Sequence, residues 1–338
     1  MRFVDVSYFN NDTSDAGLLL HAHAANLGYL DFLPENWEVY LVKLLKNEGQ
    51  VSSGRTNFHF FRNSLRANRF IRQLKPDAVL AHGLIFPLQM LALPSKTKII
   101  IQHHAERPGK GLMRSLQKLA DKFVSGYLFS TKELAEPWIN AGIIRREKVY
   151  EVMEGSSVME RMDKQTARKQ LGLEDGPVFL WVGRLDANKD PLTVLAGFER
   201  YLQHEPSAKL YMIYQSGDLL PASINPSVTL VGKVERSELS AWYSAADYYI
   251  SGSHSEGSGY ALIEAMSCGC IPVVTDIPSF RKITGGGLLF KPGDVNSLYD
   301  TLLKLNSQAV PDVLKKFEEE LSFKAIAKGI GRTISSLP

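Results

Sequence analysis

Short apolar runs alternate along the chain with segments whose apolar residues recur at helical spacing. A run of about five apolar residues predicts a buried strand, and an amphipathic segment predicts a helix that covers a sheet. Strands that alternate with helices favour parallel sheets covered on both faces, so the predicted fold class is α/β. The strands predicted in the first half are Phe3–Ser7, Val39–Val42, Ala78–Ala81, Lys98–Gln102, Tyr127–Ser130 and Val149–Val152. Those predicted in the second half are Val178–Val182, Leu210–Tyr214, Val228–Val231, Tyr248–Ser251, Ile271–Thr275 and Leu288–Phe290.

The predicted helices fill the stretches between these strands. They include Asn63–Lys75, Gly111–Lys122, Pro191–His204, Arg236–Ala245, Tyr260–Ser267, Val295–Leu305 and the last stretch, Val313–Leu337. A chain of 338 residues suits two cores of about 150 residues each. The polar segment Glu154–Asp163 has no clear period and marks the break between them. We therefore expect two doubly wound, Rossmann-like domains, 1–155 and 156–310, followed by helices over 311–338. Ligands in such sheets bind beyond the carboxyl ends of the strands, so we expect the domains to face a cleft.

The composition is that of a folded soluble protein, with 44% hydrophobic and 22% charged residues. The first seven residues lack the basic start and long apolar run of a signal peptide, and no apolar window reaches the ~20 residues of a membrane span. A cytoplasmic protein is therefore expected. Cys268 and Cys270 stand two apart in an apolar stretch, where two buried thiols are expected rather than a disulfide or a metal site.

The segment Ser253–Pro272 has the pattern of a phosphate-binding turn. A predicted strand leads into the small residues Gly257, Ser258 and Gly259, and a helix follows from Tyr260. Small residues at a helix N-terminus let backbone N–H groups approach an anion, which the helix dipole also favours. The sequence therefore predicts a phosphate cradle at residues 257–259.

Two carboxylates accompany this phosphate cradle. Glu256 and Glu264 are eight residues apart, which is about two helical turns, so helical spacing would place them near one face. Both could accept hydrogen bonds from sugar hydroxyls. The alternative is that Glu256 only offsets the helix dipole and Glu264 is a surface residue.

A second segment, Phe179–Pro191, places cations where a ligand is expected. The predicted strand ends at Gly183, and Arg184 and Lys189 follow in the loop before a helix. Arginine and lysine side chains at the carboxyl end of a strand can neutralise a leaving diphosphate without a metal ion. The alternative is an ordinary solvated loop.

Together the two segments resemble the retaining glycosyltransferases of family 4, which have the GT-B fold. The family pattern around its two glutamates is matched at Ser253, Glu256, Gly257, Gly259, Glu264, Ala265, Gly269, Pro272 and Val273. Further matches are Val182–Leu185 with Lys189, the turn Val231–Val234, Ala245–Asp247 and Gly287–Asp294. These matches cover nearly all of residues 178–305, whereas the first half matches far less well.

The resemblance implies a role for each matched residue. Glu264 would bind the donor ribose, and Glu256 would contact the transferred sugar. The amides of residues 257–260 would bind phosphate or sugar. Arg184 and Lys189, beside Gly183, would hold the diphosphate, and Lys233 and Val234 would line the base pocket. The resemblance also implies that the C-terminal helices cross back to the first domain.

Two departures from the family pattern bear on the site. Ser258 stands where an aromatic residue is common, which affects the sugar pocket. The usual glycine pair of the first domain is reduced to Asp15, Ala16 and Gly17, and Gly17 is the remaining candidate there for donor binding.

The family often places a functional histidine at the end of the strand predicted over Lys98–Gln102. Here His103 and His104 follow that strand, and we expect His104 to be the catalytic one. A neutral imidazole could bond a donor-sugar hydroxyl or orient the acceptor. His82, after the preceding strand, is a weaker candidate. The alternative is that these histidines are satisfied by local backbone groups.

Charge is uneven along the chain, because residues 1–155 carry 20 Lys and Arg against 15 Asp and Glu, and the remainder carries 19 against 21. Arg62, Arg66 and Arg69 fall on one face of a predicted helix, and Lys110, Arg114 and Lys118 repeat the spacing. Such faces suit an anionic membrane surface on the inner side of the cell membrane or a lipid-pyrophosphate acceptor; a solvated face is the alternative. Nucleic acid is not expected as a partner, because the net charge is only +3 and no binding module is visible.

The activity expected from the resemblance is transfer of a sugar from a UDP- or GDP-sugar to a glycan or lipid-linked acceptor in surface-polysaccharide synthesis. The resemblance implies retention by front-face attack, without a cofactor, metal or covalent intermediate. Two alternatives remain, a nucleotide-sugar epimerase of the same fold and a non-catalytic nucleotide-sugar-binding scaffold. A dehydrogenase is disfavoured, since no Gly-x-Gly-x-x-Gly pattern follows the first strand.

Overall fold

A computed structural model describes residues 1–10, 15–84, 96–104, 106–305, 307 and 312–338. The chain divides into two compact units. Unit 1 comprises Met1–Ser156 and Phe323–Pro338, and unit 2 comprises Ser157–Ser322. The first boundary lies one residue from the position expected from sequence. The C-terminal stretch, expected to consist of helices from 311 that cross back to the first domain, is divided between the two units at Ser322.

Unit 1 is built on eight described strands in the order β3-β4-β2-β1-β5-β6-β7-β8. Their bounds are β1 Arg2–Asn10, β2 Glu38–Leu44, β3 Gly49–Ser53, β4 Thr56–Phe61, β5 Ala78–His82, β6 Lys98–Gln102, β7 Gly126–Phe129 and β8 Val149–Glu151. All neighbouring pairs are parallel except β3 with β4. Parallel strands end at one edge, so β1, β2, β5 and β6 bring Ser7, Lys43, His82 and Gln102 together there.

The β3–β4 hairpin was not predicted. Every residue of β3 is exposed, and the strand lacks the apolar run used to find the others. It exists because the edge of β4 supplies backbone partners, a contribution that side-chain patterning does not report.

The helices of unit 1 that the structure describes lie between these strands and at the C-terminus. They are Ala16–Ala22, Ala24–Leu27, Ser64–Leu74, Gly111–Ala120, Glu136–Asn140 and Phe323–Ser336, with 3₁₀ turns at Gly28–Phe32, Lys132–Ala135 and Arg146–Lys148. Phe323–Ser336 belongs to unit 1 because Ile326, Ala327 and Ile330 are buried there, and the backbone of Ile334 accepts a hydrogen bond from Lys98. Asn63 caps Ser64–Leu74 by accepting from the backbone of Arg66 at 3.0 Å.

Unit 2 holds six described strands, all parallel, in the order β11-β10-β9-β12-β13-β14. Their bounds are β9 Val178–Leu185, β10 Lys209–Gly217, β11 Val228–Gly232, β12 Tyr248–Ser251, β13 Ile271–Thr275 and β14 Leu288–Phe290. Phe179, Ile250 and Val273 are fully buried on the central strands, as continuous apolar runs require in a sheet covered on both faces. Each unit by itself is therefore a largely parallel α/β fold of the Rossmann-like type that was expected.

The helices of unit 2 cover both faces of this sheet. They are Lys164–Leu171, Pro191–Tyr201, Leu239–Ala245, Tyr260–Ser267, Pro278–Thr284, Val295–Leu302 and Val313–Lys316, with a 3₁₀ turn at Arg236–Glu238 and a π-helical turn at Phe317–Leu321. The stretch Val313–Leu337, which was predicted to be helical, consists of separate helical segments, because the backbone becomes extended at Ser322. Among the described residues, no helix combines the length and apolar character needed to cross a bilayer.

Candidate donor site and histidine cluster

The candidate donor site of unit 2 begins where the loop after β9 meets the loop after β12. The backbone N–H of His254 donates to the Asn188 carbonyl at 2.8 Å, and the Asn188 side chain donates to the Ser255 carbonyl at 3.0 Å. Gly252 permits this approach, since a Cβ there would lie 2.7 Å from the carbonyl oxygen of Asp190. The two sequence motifs are thus joined by direct hydrogen bonds between their loops.

Lys189 and Glu256 form an ion pair at this junction. The Lys189 ammonium contacts a Glu256 carboxylate oxygen, and the side chains are 20% and 14% exposed. Gly183 lies beside the lysine, where a Cβ would stand 3.4 Å from Lys189 Cγ. The predicted cation and the predicted carboxylate therefore neutralise each other while retaining access to solvent.

Arg184, the second predicted cation, extends into solvent. Its side chain is 63% exposed, and its Nε donates to Asp186 at 2.8 Å. The same carboxylate accepts from the Lys189 backbone N–H at 2.9 Å. Asp190, which follows, has a left-handed φ of 43° and caps the next helix through Thr193 at 3.1 Å. A strained residue of this kind beside a candidate site is held by its surroundings.

The helix Tyr260–Ser267 begins with the glycine that the phosphate-cradle prediction required. Gly259 is the N-cap, adopts φ 63°, and offers no side chain to cap the first turn. A Cβ on Gly259 would lie 2.9 Å from Ile283 Cδ1, so the turn is both left-handed and tightly packed. Ser258 is buried beside it, whereas Gly257 is half-buried. Backbone N–H groups at an uncapped helix start suit an anionic ligand.

Glu256 and Glu264 do not share a helix face, and that expectation is wrong. Glu256 precedes the helix, and the left-handed residue Gly259 interrupts the helical spacing between them. Glu264 lies inside the helix with only 7% of its surface exposed, so it is not the surface residue of the alternative interpretation.

Glu264 is held by two donors. The Tyr243 hydroxyl donates to Oε2 at 3.1 Å, and the Arg236 guanidinium donates to Oε1 at 3.3 Å. Burial raises the pKa of Glu264, and Arg236 and Tyr243 oppose that rise. Arg236 and Tyr243 were not among the predicted site residues; both stand in the segment that follows the Val231–Val234 turn. A carboxylate already bound by a tyrosine and an arginine is fixed in position and retains acceptor lone pairs.

The predicted base-pocket residues follow β11. Gly232 has φ 81° and ends the strand, and Lys233 is exposed while Val234 is half-buried. Gly17, the predicted donor-binding residue of unit 1, is exposed in the first turn of the helix Ala16–Ala22. Asp15 caps that helix by accepting from the backbone of Leu18 at 3.0 Å.

Unit 1 holds a cluster of histidines at the carboxyl ends of β5 and β6. His82 ends β5, and its Nδ1 lies 2.7 Å from Nε2 of His104. His82 Nε2 lies 2.9 Å from Asp5 Oδ2, and His104 Nδ1 lies 2.6 Å from Glu154 Oε2. His103 points elsewhere, stacked on Phe129 with its Nε2 3.1 Å from the Glu106 carbonyl.

Several members of this cluster were missed by the sequence analysis. They are Asp5, Tyr29, Lys43, Glu106 and Glu154. One signal was available, because Asp5 is a lone carboxylate inside the apolar run of β1 and is fully buried. The others had no pattern, since the fold alone brings them to this edge.

The side chains of Cys268 and Cys270 are buried and carry free thiols, as expected from the sequence. Among the described residues, no group of three or more His, Cys, Asp and Glu side chains is arranged to hold a metal ion.

Comparison with known proteins adds a family match. The family model described as glycosyl transferases group 1 matches residues 176–308, which lie within unit 2. This match confirms the resemblance derived from the two motifs.

A similar curated protein is GDP-mannose:cellobiosyl-diphosphopolyprenol alpha-mannosyltransferase of Xanthomonas campestris. It is 27% identical over 173 residues, which span 48% of this chain and 44% of the relative. The chain thus spans less than half the length of the curated relatives it matches.

Two solved structures have a similar fold over the whole chain. Trehalose-6-phosphate from E. coli bound with UDP-2-fluoro glucose has a TM-score of 0.70 at 12% identity, with 100% of both chains covered. Anabaena HepE in complex with UDP and glucose has a TM-score of 0.65 at 14% identity, again with 100% of both chains covered. At these identities the likeness concerns the fold.

Proposed function

We propose that this chain, whose residues 176–308 match the family model of group 1 glycosyl transferases, transfers a sugar from a nucleoside-diphosphate sugar to an acceptor hydroxyl. The observation that carries the proposal is the junction in unit 2 of the Lys189–Glu256 pair with the uncapped start of the helix Tyr260–Ser267. A cation and an anion-binding helix end meet there, beside a carboxylate that can accept from a sugar.

The donor would be held by unit 2. The amides of residues 257–260 would bind the diphosphate, with Lys189 and Arg184 supplying positive charge as the diphosphate leaves. Glu256 would accept from hydroxyls of the transferred sugar, and Glu264, fixed by Tyr243, would accept from the ribose. Lys233 and Val234 would meet the base through main-chain groups.

The donor class proposed is a UDP- or GDP-sugar. The Anabaena neighbour was solved with UDP and glucose, and the Xanthomonas relative is named for GDP-mannose. We further propose retention of anomeric configuration by front-face attack, with arginine, lysine and the helix start in place of a metal.

The acceptor proposed is a glycan or a lipid-linked glycan in surface-polysaccharide synthesis at the cytoplasmic face of a membrane. The Xanthomonas relative is named for a diphosphopolyprenol acceptor. The helix Gly111–Ala120 and the turn after it supply physical support. Leu112, Leu119 and Phe123, at spacings of seven and four, are 77%, 44% and 47% exposed.

Basic side chains surround this apolar stripe. Lys110, Lys118 and Lys122 are exposed, and the one acidic residue of the stretch, Asp121, is buried in a pair with Arg145 at 2.9 Å. Exposed apolar side chains among lysines suit a surface of anionic lipid headgroups.

The donor site is tested by thermal shift of the purified chain against a panel of nucleotide sugars, with and without EDTA. A selective stabilisation that survives EDTA is expected, because only the folded chain binds the donor. No shift with any nucleotide sugar would contradict the proposal. Release of an altered nucleotide sugar without acceptor would identify an epimerase instead.

The membrane surface is tested by flotation with vesicles of phosphatidylglycerol or of phosphatidylcholine alone. Binding is expected only to the anionic vesicles, and it should weaken in the double variant Leu112→Ser, Phe123→Ser. Leu303→Ser, which changes a 40% exposed leucine of unit 2, is the matched control and should bind normally. Equal binding by all three proteins would contradict this surface.

A further inference from the structure

Four side chains of unit 1 form one continuous line of hydrogen bonds. The line runs from Asp5 Oδ2 to His82 Nε2 at 2.9 Å, from His82 Nδ1 to His104 Nε2 at 2.7 Å, and from His104 Nδ1 to Glu154 Oε2 at 2.6 Å. All four ring nitrogens are therefore engaged. Neither histidine is satisfied by local backbone groups, so the alternative interpretation does not apply to this pair.

The number of protons in the line follows from the number of hydrogen bonds. Three hydrogen bonds need three protons, and ionised carboxylates can only accept. The outer nitrogens of the pair, facing Asp5 and Glu154, must then carry N–H groups. A neutral imidazole has a single N–H, so two neutral rings would point bare lone pairs at each other across 2.7 Å. One extra proton between them restores the bond.

A second extra proton is disfavoured by the same geometry. It would place N–H groups of two imidazolium rings against each other, which is a like-charge contact inside a buried site. With both carboxylates ionised, the three contacts therefore fit a pair that holds one proton more than two neutral rings.

The Asp5 end of the line keeps its charge. Burial alone would raise the pKa of Asp5, but His82, Tyr29 and Lys43 hold it below the ordinary value. Tyr29 donates its hydroxyl to the same Asp5 oxygen that His82 contacts, and its own pKa is raised well above the ordinary value by burial and by Asp5. Tyr29 thus remains a donor, and Asp5 remains a carboxylate.

The surrounding groups divide into two sets. Burial lowers the pKa of His23 to about 4, with Lys43 and His82 adding to the effect, and burial lowers that of His103. These two rings are therefore neutral near pH 7. Burial also lowers the pKa of Lys43, against the attraction of Asp5.

On the other side, Glu106 accepts from the backbone N–H of His104 at 2.8 Å. Burial would lower the pKa of His104, but Glu154, then Glu106 and Asp5, raise it above the ordinary value. The carboxylates around the pair thus favour its extra proton.

We propose that Asp5 and His82 are positioning residues that orient the His104 ring and keep one proton shared between the two imidazoles near neutral pH. His104 Nδ1 then donates a hydrogen bond to a substrate oxygen that takes the place of Glu154, while His82 continues to orient the ring. This differs from the neutral imidazole expected from sequence. The inference rests on the proposed function only in assigning His104 to the transferase site; the proton count does not depend on it.

The proposal is tested by nitrogen-15 NMR of the histidine rings in the full chain, with His82→Gln and His104→Gln used to assign the signals. In the wild type, His82 and His104 should titrate together as a coupled pair. The pair should lose its shared proton at a higher pH than an ordinary histidine does, and it should gain a second proton only at a lower pH. Two independent titrations, each near the ordinary value, would overturn the proposal.

The role of the outer carboxylate is tested with Asp5→Asn. Loss of the charge should lower the apparent pKa of the pair by about one to three units, as expected for removing an opposite charge within contact distance. Glu154→Gln should act in the same direction from the other end and serves if Asp5→Asn does not fold. If neither variant folds, the wild-type titration still decides whether His82 and His104 share one proton.

Asp121→Asn is the matched control. It also removes a buried carboxylate of unit 1, one that pairs with Arg145 rather than with a histidine, and it should leave the titration unchanged. A uniform shift in all three variants would mean that the effect is structural and would overturn the positioning role.

Activity gives a separate readout. If the chain is a transferase, the alkaline limb of its rate profile should move to lower pH in Asp5→Asn, because the pair loses its proton earlier. A coupled titration without any transferase activity would disprove the proposed function and leave the proton count intact.

Discussion

The donor site of unit 2 and the histidine cluster of unit 1 differ in how the chain assembles them. The donor site draws Lys189, Glu256 and Glu264 from two loop-and-helix segments, each read directly in the sequence. The histidine line joins β1, β5 and the segments after β6 and β8 through side chains that are 0–23% exposed.

This difference has a physical consequence for each region. The Lys189–Glu256 pair is partly exposed, so each side chain can exchange the other for a ligand. Substitutions at this pair are therefore expected to change donor binding and the reaction rate more than the stability of the fold. The Asp5–His82 contact is buried and cannot be broken without exposing unpaired charge to a low-dielectric interior. Substitutions in the donor site should therefore change mainly binding and rate, whereas substitutions in the histidine cluster should also change stability.

The largest effect is expected for Lys189→Ala. It removes the positive charge proposed to stabilise the leaving diphosphate and leaves Glu256 unpaired, so kcat should fall about 10²–10³-fold. Steady-state rates with the nucleotide sugar found by thermal shift measure this. Lys209→Ala, which removes a lysine paired with exposed Glu174 at 3.3 Å, is the control and should retain full activity. A Lys189→Ala enzyme with wild-type kcat would remove this residue from the mechanism.

Glu264→Ala should weaken donor binding about 10–100-fold, the effect of losing hydrogen bonds to a charged group. Isothermal titration calorimetry with the same donor measures it. Glu174→Ala, at an exposed carboxylate of the same unit, should leave Kd unchanged. An unchanged donor Kd in Glu264→Ala would contradict the ribose-binding role.

Gly259→Ala should destabilise the chain by about 1–2 kcal/mol through its left-handed backbone alone, since L-residues with a Cβ are disfavoured there. The contact with Ile283 Cδ1 adds to this cost. Gly172→Ala separates the two causes, because Gly172 has nearly the same φ of 64° and a Cβ there would meet no neighbouring atom within 4 Å. Urea denaturation of both variants should show the larger loss for Gly259→Ala; equal losses would mean that the packing at the helix start is loose.

The smallest effect expected is the pH dependence of stability that His104 contributes. Its pKa in the folded chain is raised above 6.5, so the stabilisation is fully present below pH 6.5 and is lost as the pH rises through the folded value. The difference in the free energy of unfolding between wild type and His104→Gln should therefore shrink as the pH rises above about 6.5. Comparing the two proteins cancels the contributions of the histidines outside the His82–His104 pair. A difference that grows with pH would contradict the direction of the pKa shift.

The local sequence pattern was sufficient to predict the bounds of a strand or helix wherever that element is specified by consecutive residues. Tyr248–Ser251, Tyr260–Ser267 and Ile271–Thr275 begin and end where they were predicted, because apolar runs and a glycine at a helix start act on their own segment. The exposed strand Gly49–Ser53 was missed because its stability comes from pairing with a neighbour.

The sequence by itself determined the α/β class, the boundary near Ser156, the donor motifs and the group 1 resemblance. Each depends on spacing within a segment, and spacing is a property of the chain before it folds. Only the tertiary structure decided that Lys189 pairs with Glu256, that Tyr243 and Arg236 hold Glu264, and that Asp5, His82, His104 and Glu154 share a line of protons. These contacts join residues that lie about 20 to 80 positions apart, and parallel strands bring such residues to one edge only after the sheet has formed.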